Sequence, residues 1–224
     1  MEYARALKAI TARAGTFGLK PAILENKVVY VDMNDCPAQL DILAHVDVVP
    51  AGDGWSVTEP FVPLIKDGKL YGRGTCDDKG PAVAALYAMR AVRELNIPLK
   101  HNVRLILGAD EETGCRDTGC YYSHFKEAPC SYSPDGEYPV INLEKGSIGC
   151  YEQVMGEPGK CLAIGGGTYA HFLKNGVAFG ASRLGVDYHM HGANEYLVVD
   201  EIVRSAELFA LTIVALCGEH AEPM

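Results

Sequence analysis

The apolar run from Leu40 to Val49 leaves this chain few options, because it reads as a buried strand that ends in a polar loop and carries His45-x-Asp47 to that end. In an open α/β sheet this is where chemistry is presented. The segments around it repeat the alternation. Tyr3 to Ala14 predicts a helix stopping at Gly15, Val28 to Met33 a short strand, and Pro50-Ala-Gly-Asp-Gly-Trp55 a loop. Lys79 to Leu95 predicts a long helix with Ala82, Ala85, Leu86, Met89 and Val92 as its apolar stripe. A strand over Val103 to Ala109, a helix over Asp117 to Lys126 and a strand over Cys130 to Ser133 follow. The expected fold class is α/β: a three-layer αβα domain with a central, mainly parallel sheet and helices on both faces.

Later residues are less regular. Ile148 to Val154 reads as a strand, Met155-Gly-Glu-Pro-Gly-Lys160 as a tight connection, and Cys161 to Ile164 as a brief strand entering Gly165-Gly-Gly167. A final helix is expected from Val199 to Cys217, with Ile202, Leu208, Leu211 and Val214 or Ala215 on its apolar face.

With 224 residues, 48% of them apolar, the chain is expected to form one domain. A net charge of −9 with no Lys/Arg cluster argues against nucleic acid or an anionic membrane as partner. No apolar stretch has the length of a membrane span, and the first residues lack the plan of a signal peptide, so a cytoplasmic protein is expected. Eight cysteines without a Cys-x-x-Cys pair fit reduced thiols.

Five clusters of carboxylate or imidazole residues stand at the ends of these segments, the pattern a two-metal hydrolase needs. They are His45 with Asp47, Asp77-Asp78, Glu111-Glu112, Asp135 in Ser133-Pro-Asp-Gly136, and His189 and His191 in His189-Met-His-Gly-Ala-Asn-Glu195. Residues i and i+2 of a strand share a face, so Asp47 is suited to orient His45. Four of the clusters have a plainer explanation: a structural histidine at His45, a helix cap at Asp78, a Pro-Asp-Gly turn at Asp135, surface histidines in the last loop. Glu111-Glu112 resists one, since adjacent carboxylates repel unless a cation or proton offsets them. In an extended chain one would ligate while the other serves as base. A phosphate loop is not spelled out at Gly165-Gly-Gly167, and no Gly-x-Ser-x-Gly elbow exists for a serine hydrolase. His171 near the glycine loop is read as loop polarity.

Taken in order, Leu43-Ala-His-Val-Asp-Val-Val-Pro50, Tyr71-Gly-Arg-Gly-Thr-Cys-Asp-Asp-Lys-Gly-Pro81, Gly108-Ala-Asp-Glu-Glu-Thr-Gly114, Ser133-Pro-Asp-Gly-Glu-Tyr-Pro139 and Met190-His-Gly-Ala-Asn-Glu195 resemble the M20 family of metallopeptidases, and within it the PepV/Sapep-like bacterial dipeptidases. The resemblance implies a dinuclear zinc site, with Mn²⁺ or Co²⁺ as substitutes, acting on dipeptides or small peptides. Asp77 would bridge the ions, His45 and Asp135 would complete one shell, and Glu112 and His191 the other. Glu111 would be the general base and Asp47 would orient His45. The resemblance selects His191 over His189 by its distance from Asn194-Glu195, and implies a cis peptide after Asp77.

Members of that family carry a lid domain inserted between the segment near Ile148 to Val154 and the glycines at 165. Here residues 155–160 alone make the connection, so one lidless catalytic domain over residues 1–224 is expected, without the lid's transition-state-stabilising histidine. Impaired turnover follows from that expectation. A metal-binding scaffold with little turnover and an N-acyl amino-acid deacylase are the alternatives.

Overall fold

A computed structural model describes residues 3–138, 145–160 and 167–219. In chain order the elements are α1 (Tyr3–Thr16), β1 (Lys20–Leu24), β2 (Val28–Asp32), β3 (Ala38–His45), β4 (Leu64–Lys66), β5 (Lys69–Tyr71), α2 (Gly80–Glu94), β6 (Asn102–Gly108), α3 (Arg116–His124), β7 (Cys130–Ser133) and β8 (Gly136–Tyr138). They continue with α4 (Lys145–Met155), β9 (Gly176–Ala178), β10 (Ala181–Arg183), β11 (Tyr196–Val198) and α5 (Val199–Cys217).

Six strands form the main sheet in the order β1-β2-β6-β3-β7-β9. β6, β3, β7 and β9 run parallel, and β2 and β1 are antiparallel additions at one edge. From β3 the chain crosses to β6 on one side, then returns past β3 to β7 on the other. The direction of winding therefore reverses at β3, and the crevice beyond its carboxyl end is where such sheets hold ligands. Two smaller sheets, β11-β5-β4 and β10-β8, lie outside this frame.

Side chains alternate across the sheet. Leu40, Ile42 and Ala44 of β3 join Val103, Leu105 and Leu107 of β6 in the larger core, which α1, α2, α4 and α5 cover. All five residues of the predicted α2 stripe are buried there. The opposite face is thinner: Leu43 and Ile106 pack with Tyr121 of α3 and with Tyr169. On this face Asp41 and Arg104 form a buried bidentate pair at 2.6 and 2.7 Å, and Asp41 also accepts from Tyr122 Oη and Ala128 N. Both oxygens of this carboxylate are thus hydrogen-bonded, which offsets the cost of burying its charge.

Three local readings change. The segment predicted as a strand at 148–154 lies within helix α4, whose Cys150, Tyr151, Val154 and Met155 meet the core with helical spacing. The strand expected over Leu40 to Val49 ends at His45, although Val46 N still donates to Gly108 O. The α5 prediction has the right bounds, but its seam is Ser205, Leu208, Phe209, Thr212 and Ile213, and Ala215 is exposed. The strand expected at Cys161 to Ile164 lies outside the described residues. Among the described residues no helix is long and apolar enough to cross a membrane.

Candidate metal centre

Three parallel strands deliver polar residues to one crevice. β3 ends on His45, whose side chain is 0% exposed; β6 leads into a single tight turn, Glu111–Thr113; β7 leads to Asp135. The turn Thr75–Lys79 ahead of α2 brings in Asp77, and the loop between β10 and β11 brings in His191. His45 Nε2 lies 2.8 Å from Asp77 Oδ1 and 3.8 Å from Asp135 Oδ2. His191 Nε2 lies 2.6 Å from Asp77 Oδ2 and 3.4 Å from Glu112 Oε1. Donor atoms of His45, Asp77 and Asp135 cluster within 4.8 Å, and so do those of Asp77, Glu112 and His191. One carboxylate belongs to both groups.

The surroundings fit a cation. Glu112 Oε1 is buried and has no hydrogen-bond partner, a costly state for a carboxylate oxygen that a metal ion would relieve. Histidine nitrogens with carboxylate oxygens are donors that zinc, manganese and cobalt accept. His45 Nδ1 is 3.2 Å from Asp47 O and 3.4 Å from its Oδ1, which leaves Nε2 turned to Asp77. Asp47 Oδ2 also accepts from Glu112 N at 3.2 Å, tying the β3 and β6 loops together.

Several plainer explanations fail on geometry. Asp78 makes no helix cap; it is fully buried and accepts from His45 N at 3.1 Å. His189 turns away, with Nδ1 3.1 Å from Ala193 O, so it is His191 that meets Asp77. His171 is exposed on the turn Tyr169–Phe172. The peptide between Asp77 and Asp78 is cis, as the resemblance implies. The extended-chain argument for Glu111 and Glu112 does not hold, because both lie in a 3-10 turn, where neighbours diverge by roughly a third of a turn instead of half.

Sequence reasoning missed the residues that hold these loops. Glu195 is fully buried and accepts from Arg73 Nη1 at 2.6 Å, Gly74 N at 3.0 Å, Cys76 N at 2.9 Å and Asp77 N at 3.2 Å. Arg73 Nη2 reaches His191 O and Gly192 O, each at 3.1 Å, and Ala51 O at 3.1 Å. This pair locks the Asp77 turn to the His191 loop. Below them Asp117 Oδ2 accepts from Ala109 N, Asp110 N and Tyr169 Oη at 2.6–2.8 Å, fixing the approach to Glu111. Gly108 is required there, since a Cβ would stand 2.0 Å from Tyr169 Oη and 2.2 Å from Asp117 Oδ2. The only hint in the sequence is that Arg73 and Glu195 sit inside the quoted motifs.

Without an ion the site is electrostatically strained. Burial, then the neighbouring carboxylates, push Glu111 up to about 7 despite the opposing pull of His45. Asp135 also rises to about 7, through burial first and then through Asp77 and Glu112. Burial likewise raises Glu112 and, more strongly, Asp78. Burial disfavours charge on His45, but its bonds to Asp47 and Asp77 outweigh that and hold its pKa well above the ordinary range. Burial also opposes ionisation of Asp77, yet His45 and His191 bring its pKa below normal. The Cys76 thiol beside Asp77 is pushed up to about 12 by burial and is no nucleophile near neutrality.

Comparison with known proteins follows the same frame. Residues 42–137 match peptidase family M20/M25/M40. "Putative dipeptidase YtjP" of Bacillus subtilis is 46% identical over 109 residues, which is 49% of this chain and 23% of that protein. "Putative dipeptidase SSP1012" of Staphylococcus saprophyticus is 43% identical over 116 residues, 52% of this chain and 24% of that protein. The match thus spans about a quarter of the length of these curated relatives. In fold, human carnosine dipeptidase 1 aligns with a TM-score of 0.79 at 13% identity, over 94% of this chain and 90% of that one. A family M20 metallo-carboxypeptidase, Sso-CP2 of Sulfolobus solfataricus, aligns at 0.79 and 12% identity, over 93% of each.

Proposed function

We propose, from the match of residues 42–137 to peptidase family M20/M25/M40, that this chain is a dinuclear metallopeptidase that hydrolyses the amide bond of dipeptides or small peptides. His45 and Asp135 would hold one ion and Glu112 and His191 the other, with Asp77 common to both groups. The observation that carries this reading is the division of one carboxylate between two histidines, Oδ1 towards His45 and Oδ2 towards His191. Two zinc ions bound there would polarise the amide carbonyl and acidify the attacking water, and Mn²⁺ or Co²⁺ would serve in their place.

The chain's own groups supply the rest. Glu111 takes the proton of the attacking water and returns it to the leaving amine. Asp47 holds the His45 ring in register from its Nδ1 side. Arg73 and Glu195 keep His191 and Asp77 facing each other. We also assign the chain a single catalytic domain, in which residues 155–160 stand where the family's lid is inserted. An open crevice admits water to the reacting groups, so turnover is lower than a closing lid would allow.

The test is hydrolysis of dipeptides and of N-acyl amino acids by metal-loaded protein with Zn²⁺, Mn²⁺ or Co²⁺, beside Glu111→Gln. Dipeptide cleavage should depend on metal and fall on the order of 100- to 10,000-fold in the variant, with metal content unchanged. Full activity in Glu111→Gln would overturn the mechanism. Metal binding without turnover would make the chain a scaffold, and preference for N-acyl substrates a deacylase.

A further inference from the structure

Away from the crevice, on the thin face of the sheet, the turn joining β1 to β2 meets the end of α3. Glu25 takes a left-handed conformation in that turn, at φ 48, and points towards Cys120 and His124. These two stand four residues apart on α3 and so share a face of the helix. A carboxylate oxygen, a thiol sulfur and an imidazole nitrogen lie within 4.8 Å of one another. His124 Nδ1 is 3.0 Å from the carbonyl of Cys120, one turn back. A neutral imidazole held by that contact keeps its lone pair on Nε2, the arrangement in which a backbone carbonyl orients a ligating histidine. Lys27 Nζ, 3.2 Å from Glu25 Oε2, is the cation already drawn to the cluster.

We propose that Glu25, Cys120 and His124 form a second, surface metal site, separate from the catalytic centre and suited to a borderline-soft divalent ion such as Zn²⁺ or Co²⁺. The donor set is one sulfur, one nitrogen and one oxygen, with the fourth position left to water, a combination that tetrahedral zinc takes and that magnesium and calcium do not. The Cys120 thiol stands within 4.8 Å of the Glu25 carboxylate; on binding, the S–H bond breaks, the S–metal bond forms and one proton is released to solvent. Because one donor comes from the hairpin and two from α3, the ion would fasten the outer helix to the edge of the sheet. Neither donor group of the catalytic centre contains sulfur, so the two sites differ in spectroscopic signature.

Titration of the metal-free protein with Co²⁺ tests this directly. Binding should produce an intense thiolate-to-cobalt charge-transfer band that is abolished in Cys120→Ser and retained in Asp77→Ala, which disables the catalytic centre. His124→Gln should keep its fold and show the band only at on the order of 10- to 100-fold higher cobalt. No band in the unaltered chain would overturn the proposal. So would a band that survives Cys120→Ser, which would assign the signal to Cys76 or Cys115. Failure of peptide hydrolysis has no bearing on any of these readings.

Discussion

The two donor groups that share Asp77 are built differently. His45 ends a central strand, is 0% exposed, and has its backbone N–H held by buried Asp78. His191 lies in a loop, is 53% exposed, adopts φ 60, and has its backbone held through its carbonyl by Arg73. His45 is part of the core, and the His191 loop is tied to it by the buried Arg73–Glu195 pair and by Asn194 Oδ1, which accepts from Ser56 N and Val57 N. The difference teaches that one half of the centre is preorganised by folding, while the other depends on Arg73 and Glu195 to bring its ligand into place.

The largest effect should follow from removing what the halves share. Asp77→Ala is expected to lose both ions, measured as metal per chain after dialysis; retention of two equivalents would break the symmetry assigned to that carboxylate. Next comes Glu195→Ala, which strands Arg73 and three backbone N–H groups in the interior. Breaking a buried charge pair costs about 3–5 kcal/mol, and a shift in urea midpoint below about 1 kcal/mol equivalent would show that the His191 loop is held otherwise.

A smaller contrast separates the histidines. His45→Ala should destabilise the metal-free fold by about 1–3 kcal/mol, and His191→Ala by no more than about 0.5 kcal/mol, although each weakens one ion. Equal costs would erase the distinction between core and attached halves.

The mildest test is pH. Glu111 and Asp135 have folded-state pKa values of about 7, above their ordinary values, and His45 is raised as well. A group raised on folding contributes stability that is complete below its unfolded pKa and lost as pH rises through the folded one. Metal-free protein should therefore be more stable near pH 5.5 than near pH 8, and saturating zinc should remove that preference. Greater stability of the chelated protein at pH 8 would break the argument.

Much of this was legible in the residues. The strand carrying His45, the α2 stripe and the bounds of α5 follow from hydrophobic period, since burial on one or both faces dictates which positions must be apolar. The residues that cluster around Asp77 were legible through the family resemblance of five motifs. Asp41 and Arg104 gave no such signal; as single charges in two apolar strands they become a pair only when β3 and β6 align in register. The 148–154 segment misled because a short apolar run suits either a strand or a helix until its neighbours are known.

The sequence by itself determined the α/β class and the inventory of donors. Only the tertiary structure decided that Asp78 braces His45 instead of capping a helix, and that Glu195 ties the Asp77 turn to the His191 loop. These depend on where separate loops meet across the end of the sheet, and local propensity carries no information about the distance between residues far apart in the chain.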